Sequence, residues 1–577
     1  MSFVVKIMCL PKKTQTSYFN MQEKVIQFPL DSTQYRSLAE KLNQDGKHLD
    51  ALGFLFTAYK HNPKDYKVIS EIADTYADMG LSDYSNKFWF KYLDIVPENK
   101  ASLAYEELGI NYFYLDNLWA SSYYFHLKVN ADGYISRDTL NEDIIEFLNE
   151  KLDKRSLYHI AYPFDRADFS VKVKAGKRAF SAGDFRSSTK ILESIPSECV
   201  DEDTSGDLTV AYLMCKDEKK AIEACKESLR VHGENVTAYC NLSTIYYTLD
   251  DKEKSSYYYE KALSLRRKDK DDEYKILSCA IGQNDYITVK DCVSVVLKER
   301  ENDAMMWFIL AVANANLSDF DGAVRAFKMA YRINPDDEIS CFYANLFENL
   351  MENGAKADKI FPISFEKEYP KNIVRENKKV IKELKIEDAS DIIKSGKNRE
   401  ILFWGVKYGD EKTTQKCCAI ICLAEHKQLE KKLLNLLLDP EFPEDKKRRI
   451  VFTLLVCGRR NKFGVVCDNC YVPVKTRKTL FSSDDDSMIF NTAYALSVSK
   501  AVFMGIDDVE KIAFKANKIY KKYGKIILAG NYTVEDISSL IIYDCNYKRF
   551  EDLKTVCSAF GGDYNKLVDL GMIIKGE

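Results

Sequence analysis

Two cysteines separated by two residues, Cys467 and Cys470, come closest to a chemical motif in this sequence. A C-x-x-C spacing can supply half of a zinc site or a redox pair. Zinc needs a second ligand pair, and no nearby C-x-x-C or histidine pair is present, while a redox motif normally opens a helix. The surrounding "KFGVVCDNCYVPVKTRK" alternates around Asp468 and Asn469, which predicts a β-hairpin near 463–477. We therefore interpret the two thiols as flanking a two-residue turn and as only weak metal candidates.

Basic charge is concentrated around the same hairpin. Between Lys446 and Lys478 the sequence has ten Lys or Arg against one acid, Asp468. Such a patch could contact nucleic-acid phosphates or an acidic partner. The competing interpretation is a solvated helix end and hairpin edge, because Lys also discourages edge pairing. The candidate contact residues are Arg448, Arg449, Arg459, Arg460, Lys462, Lys475 and Arg477.

Recognisable catalytic and cofactor-binding motifs are absent from the sequence. The six histidines are not paired at metal-binding spacing, and no H-E-x-x-H, G-x-S-x-G, Walker or G-x-G-x-x-G pattern occurs. We expect no catalytic residues, no cofactor and no metal. An enzyme with an unrecognised site in residues 385–577 is kept as an alternative.

Composition narrows the class of protein further. With 84 basic and 88 acidic residues the chain is nearly neutral, so its net charge does not indicate a class of partner. Sixteen scattered cysteines suggest a reducing cytoplasm. The amino-terminal "MSFVVKIMCLPKK" is too short and too charged for a secretory core, and later apolar runs are far short of a membrane span. We expect a cytoplasmic protein without a membrane segment.

Small residues recur at regular places among large ones in "MMWFILAVANANLSDFDGAVRAFKMAYRINP", residues 305–335. Two antiparallel helices approach closely only where one offers Ala or Gly and the other fills the gap with a large side chain. In a 34-residue frame these residues take places four, seven, eight, twenty, twenty-four, twenty-seven and thirty-two: Trp307, Leu310, Ala311, Ala323, Phe327, Ala330 and Pro335. The pattern predicts a pair of packed helices closed by a proline.

The same frame recurs upstream, so the pair is one of a series. It fits with Tyr239, Leu242 and Ser243, and near the amino end with Ile69 and Ile72. We count eight units. This pattern resembles the tetratricopeptide repeat, whose eleventh place, normally Tyr, is Asn314 in the best-fitting unit. The resemblance implies an all-α fold: an α-solenoid of about eight helix pairs, followed by a mostly helical domain with one hairpin.

Interruptions of the frame define the expected organisation. We predict an amino-terminal extension, three repeats, a helical connector, five repeats with a capping helix, a linker and a carboxyl-terminal helical domain. Their residues are 1–30, 31–133, 134–168, 169–352, 353–384 and 385–577 respectively.

In tetratricopeptide repeat proteins the first helix of each unit lines a concave groove, chiefly through places two, five, nine, twelve and thirteen. The resemblance implies the same here, and the candidate groove residues are Met214, Cys240, Thr244, Tyr247, Met305, Phe308 and Val312. These residues are apolar or aromatic, whereas the amino-terminal units place mostly acids there. The Lys, Asn and Arg pattern with which family members clamp acidic chaperone tails is absent.

We therefore expect a non-enzymatic interaction scaffold or adaptor that binds an apolar or amphipathic helical protein segment in the central groove. The competing interpretation is that these residues are buried between units or covered by the chain's own carboxyl-terminal domain. The runner-up function is a regulator whose basic carboxyl-terminal region contacts nucleic acid while the repeats sense a peptide. Oligomeric state is not predicted.

Overall fold

A computed structural model describes residues 31–132, 143–145, 148, 170–181, 183–195, 197, 200–266, 270–353, 361–458, 462–476, 488–504, 506, 508–547 and 552–575. Within them the protein is all-α apart from one two-stranded antiparallel sheet, which confirms the predicted fold class. The predicted amino-terminal extension and most of the predicted connector at 134–168 lie outside the described residues.

The chain forms two compact units. One contains the described residues between 170 and 370, and the other contains the described residues of 31–148 and 371–575. The three amino-terminal helix pairs therefore share a unit with the carboxyl-terminal helices, and the five central pairs form a unit with the segment that follows them.

Three helix pairs open the described chain: α1 Ser32–Gln44, α2 His48–His61, α3 Tyr66–Asp78, α4 Ser82–Ile95, α5 Ala101–Tyr114 and α6 Leu118–Asp132. Five central pairs and a closing helix follow: α7 Ser170–Ser181, α8 Phe185–Glu193, α9 Glu202–Met214, α10 Glu218–His232, α11 Val236–Thr248, α12 Lys252–Leu265, α13 Lys270–Gln283, α14 Tyr286–Glu299, α15 Ala304–Asn316, α16 Phe320–Ile333 and α17 Glu338–Asn353.

The remaining elements belong to the carboxyl-terminal part: α18 Lys371–Glu383, α19 Ala389–Ile392, α20 Gly396–Tyr408, α21 Glu411–Leu423, α22 Lys427–Leu437, α23 Glu444–Val456, β1 Lys462–Cys467, β2 Cys470–Lys475, α24 Met488–Phe503, α25 Glu510–Ala529, α26 Val534–Cys545, α27 Leu553–Phe560 and α28 Tyr564–Lys575. Two short 3-10 helices, Glu98–Lys100 and Ile386–Asp388, precede α5 and α19.

The turn inside each of the eight pairs has the same backbone geometry. One residue there has a left-handed conformation, with φ between 56° and 75°: Gly46, Gly80, Asp116, Gly183, Lys216, Asp250, Asn284 and Ser318. Glycine accepts this conformation freely, whereas other residues are strained by it. Glu425 has the same conformation, with φ 55°, between α21 and α22.

Small residues let the two helices of a pair approach closely, as the frame predicts. A methyl group added at Gly109 would meet the Phe125 ring at 3.0 Å, and one at Gly176 would meet Leu192 at 2.4 Å. Serine at the twentieth place adds a hydrogen bond, because Ser121 Oγ donates to the Gly109 carbonyl at 2.7 Å. The same bond joins Ser188 to Gly176 at 3.0 Å.

Aromatic rings at the eleventh and twenty-third places stack in three of the pairs. Ring centroids are 5.7 Å apart for Tyr76 and Phe88, 5.7 Å for Tyr112 and Tyr124, and 5.6 Å for Tyr246 and Tyr258. Such offset stacks stabilise a helix pair beyond the area that they bury.

The predicted hairpin is confirmed, with Cys467 opposite Cys470 and with Asp468 and Asn469 in the turn, at φ 47° and 62°. Its turn packs against the amino-terminal pairs. Tyr124 Oη donates to the Asn469 carbonyl at 2.7 Å and accepts from the Tyr471 amide at 3.2 Å. These bonds join the first three pairs to the carboxyl-terminal helices in one unit.

Candidate protein-binding groove

First helices of neighbouring pairs form the candidate groove in the unit of central repeats. Side-chain caps fix where these helices begin: Asn235 Oδ1 accepts from the Ala238 amide at 2.7 Å, and Asp303 Oδ1 accepts from the Met305 and Met306 amides. Helix α9 packs against α11, and α11 packs against α13. The close approach of α9 to α11 depends on Gly206, where an added methyl group would meet Thr237 at 2.8 Å.

The candidate groove residues divide into an exposed set and a buried set. The exposed set consists of Met214, Thr244, Tyr247 and Met305. Met214 is 58% exposed, Tyr247 41% and Met305 42%. The buried set consists of Cys240, Phe308 and Val312. The exposed side chains on α9 and α11 are available to a partner, while the buried ones on α15 are not.

A segment of the chain itself, residues 361–369, which is neither helix nor strand, occupies the groove at α15 and α17. Asn316 Nδ2 donates to the Ile363 carbonyl at 3.0 Å, and the Ile363 amide donates to Asn316 Oδ1 at 2.9 Å. Both main-chain groups of Ile363 are thus satisfied by one side chain. The segment lies in the part of the sequence for which a linker was predicted, 353–384.

Side chains of this resident segment add ionic and aromatic contacts. Lys367 Nζ lies 2.6 Å from Asp337 Oδ2 and 5.3 Å from the centre of the Phe308 ring. The ring of Phe365 lies 5.7 Å from that of Tyr286. Phe308 is therefore covered by the chain itself, although the segment that covers it belongs to the same unit and not to the carboxyl-terminal domain.

The sequence pattern places Asn316 on the groove, but the candidate site residues did not include it and its contact with the segment was not predicted. Its position at the thirteenth place, which lines the groove in the family that the sequence resembles, was the available signal.

The open part of the groove has polar groups beside its apolar side chains. Thr237 Oγ1 donates to Glu202 Oε1 at 2.9 Å, and Lys275 Nζ lies 3.1 Å from Asp203. The thiol of Cys240 donates a hydrogen bond to Cys279, which raises the pKa of Cys240 and lowers that of Cys279. These contacts tie α9, α11 and α13 together and hold the groove floor in place.

The amino-terminal pairs carry acids at the corresponding places. Burial against neighbouring helices, together with the charges of Glu107, Asp78 and Glu71, raises the pKa of Asp74 to about 7. Arg36 pairs with Glu71 across α1 and α3. This surface has a different chemistry from that of the central groove.

The basic candidates around the hairpin are not equivalent. Arg448, Lys462 and Lys475 are exposed, whereas Arg449 pairs with Glu411 at 2.6 Å. Arg459, Arg460 and Arg477 lie outside the described residues. Lys447, in the same basic run, is buried, and its Nζ donates to the Val466 carbonyl at 2.8 Å. Burial lowers the pKa of Lys447 to about 8.

Cys467 and Cys470 flank the hairpin turn as free thiols. In the part of the chain that the structure describes, no cluster of His, Cys, Asp or Glu could hold a metal ion. No helix among those residues is long and apolar enough to span a bilayer.

Repeated helix pairs with one turn geometry and a groove of first helices define a helical repeat protein. Residues 236–269 match the family profile described as tetratricopeptide repeat. A tetratricopeptide repeat-containing protein of Methanocaldococcus jannaschii is 27% identical over 130 residues, which are 21% of this chain and 23% of that protein.

Two solved structures are similar at low identity. The tetratricopeptide repeat domain of P58(IPK) is 16% identical, with 57% of this chain and 100% of that chain covered and a TM-score of 0.24. YrrB, a tetratricopeptide repeat protein with an unusual peptide-binding site, is 15% identical, with 31% and 92% covered and a TM-score of 0.24. Residues 236–269 of the chain are thus identified as a tetratricopeptide repeat. This fold is in general a scaffold for protein–protein interaction.

Proposed function

We propose that the chain is a non-enzymatic scaffold that holds an apolar or amphipathic protein segment against α9, α11 and α13. The observation that carries the proposal is the double hydrogen bond between Asn316 and Ile363, at 3.0 and 2.9 Å. It places a protein segment in the same groove, immediately beyond the part left open.

Exposed side chains on α9 and α11 support the proposed position of the partner's segment. Met214 and Tyr247 are 58% and 41% exposed on neighbouring first helices. Met is adaptable and Tyr is amphipathic, so both suit a surface that binds an apolar segment. The resident segment limits this surface on the α15 side, because it covers Phe308.

The test is a pull-down from native lysate, after nuclease treatment, that compares two matched variants. T244E/Y247E changes two exposed groove residues of α11, and S256E/Y257E changes two exposed residues of α12 in the same helix pair. Each variant adds two negative charges and removes one tyrosine. We expect the groove variant to lose partners that the wild type and the α12 variant retain. Equal recovery by both variants, with circular dichroism showing both folded, would contradict the proposal.

Nucleic-acid binding is the alternative function that the sequence suggested. It predicts salt-sensitive binding that disappears when Arg448, Arg449, Arg459 and Arg460 are neutralised. The pairing of Arg449 with Glu411 leaves fewer free charges for such a surface. If residues 385–577 contain an enzyme site, that part alone should be active. No contact among the described residues indicates a substrate.

A further inference from the structure

The helix pair α9–α10 lacks a ring that its neighbour α11–α12 has. In α11–α12 the ring of Tyr258 lies 5.6 Å from Tyr246 and 6.1 Å from Tyr239. The corresponding places of α9–α10 are Ala224 for Tyr258, Tyr212 for Tyr246 and Ser205 for Tyr239. One tyrosine is kept, and both side chains that would cover its ring are small.

The other side of the tyrosine ring is the same in both pairs. Lys220 Nζ lies 5.3 Å from the centre of the Tyr212 ring, and Lys254 Nζ lies 5.1 Å from that of Tyr246. Tyr212 is also held in place, because its Oη donates to Glu193 Oε1 at 2.6 Å. The two pairs therefore share the lysine over the tyrosine ring and differ at Ser205 and Ala224, where α11–α12 has Tyr239 and Tyr258.

A cavity of about 220 Å³ lies at that place. Ser205, Tyr212 and Ala224 line it together with the apolar side chains of Leu192 and Leu208. A dry apolar cavity of about 150 Å³ is large enough to bind benzene, so this one has room for an aromatic ring. Ala224 is partly exposed, so the cavity opens to solvent.

A polar group in the wall also lacks a partner. His232 lines the cavity, and its Nε2 is buried with no hydrogen-bond partner among the described residues. A buried nitrogen of this kind is costly unless a hydroxyl or water reaches it. A phenol ring that enters between Tyr212 and Ala224 would bring such a hydroxyl into the cavity.

We propose that the cavity between α8, α9 and α10 binds an aromatic side chain of a partner protein, above all tyrosine, which stacks on Tyr212 in the place that Tyr258 has in α11–α12. This is a second contact, separate from the groove of first helices. It provides a pocket for one anchoring ring, the kind of residue that dominates protein interfaces.

The probe is N-acetyl-3-fluorotyrosine amide, observed by fluorine NMR with the full chain. We expect its line to broaden and shift with the wild type. In the Ala224→Phe variant the cavity is filled from within, so affinity should fall at least about tenfold. Lys226→Phe, which adds a ring at an exposed place of the same helix, should bind as the wild type does.

Two outcomes would overturn the proposal. One is a line that does not change with the wild type, or that changes equally with Ala224→Phe. The other is binding of free 4-fluorotoluene without binding of the amide, because the opening would then admit a small aromatic molecule but not a side chain attached to a main chain. The comparison with Ala224→Phe is made with protein that circular dichroism shows to be folded, whereas the other two outcomes are read from the wild type alone.

Discussion

The neighbouring pairs α9–α10 and α11–α12 share a frame and differ in their rings. Both have a tyrosine at the eleventh place with a lysine over one face, and both have a left-handed residue in the turn, Lys216 or Asp250. Only α11–α12 supplies a ring at the twenty-third place, Tyr258. The small residues of the frame thus specify the helix pair, whereas the rings decide whether a cavity remains between its helices.

We expect the largest effect on stability when α11–α12 loses the ring that α9–α10 lacks. Tyr258→Ala removes a ring that contacts Tyr239 and Tyr246 and leaves a cavity. We expect the free energy of unfolding to fall by about 2–3 kcal/mol, measured by urea denaturation. Tyr257→Ala, at a neighbouring residue that is 54% exposed, should cost less than about 1 kcal/mol. Equal losses in the two variants would show that the stack contributes nothing.

Adding a ring to α9–α10 should stabilise that pair. Ala224→Phe places a ring in the cavity of about 220 Å³ beside Tyr212. Burying that ring should raise the free energy of unfolding by about 1–2 kcal/mol, read from the same denaturation curves. A loss of more than about 1 kcal/mol would mean that the cavity cannot accept a ring.

The turns of the two pairs differ in which residue has the left-handed conformation. Lys216 has φ 62° in α9–α10, and Asp250 has φ 58° in α11–α12. Since a left-handed conformation strains Lys more than Asp, Lys216→Gly should stabilise by about 0.5–1 kcal/mol and Asp250→Gly by less. Thermal unfolding of the two variants measures the difference, and a larger gain at Asp250 would contradict this ranking.

The smallest expected effect is on the pH dependence of stability, through the carboxylate that Tyr212 of α9 contacts. Hydrogen bonds from Lys220 and Tyr212 lower the pKa of Glu193. An acid whose pKa is lower in the folded state contributes stability above its unfolded value, about 4.3, and that stability is lost as the pH falls through the folded value. Glu193→Gln should therefore lose less stability than the wild type between neutral pH and acid. An identical acid dependence would exclude this role.

Much of the helical architecture could be predicted from the sequence, because its determinants are local. Gly109 opposite Phe125, and Gly176 opposite Leu192, are pairs of small and large residues at fixed spacing, and the turn residues of the hairpin are likewise adjacent in sequence. The stacked ring pairs could be predicted from the sequence in the same way. Tyr246 and Tyr258 lie at places eleven and twenty-three, and Ala224 stands out once those places are compared.

The occupied end of the groove could not be predicted in the same way. Ile363 is held by its main-chain groups, which carry no sequence signal, and Asn316 is 47 residues away in the chain. A segment with two prolines and many charges, "PISFEKEYPKNIVRENKK", is typical of a linker when its contacts are unknown. Phe308 is contacted both by Phe327 of its own pair and by Lys367 of this segment, and only the first contact follows from its place in the frame.

Photo-crosslinking tests the proposal that α9, α11 and α13 hold a protein segment. A benzoylphenylalanine residue is placed at Tyr247 in the groove or at Tyr257 on α12, which are 41% and 54% exposed. After irradiation in native lysate, we predict an adduct at position 247 whose peptide maps to one segment of a partner protein, and no such adduct at position 257. The same adducts at both positions, or none at 247, would contradict the claim.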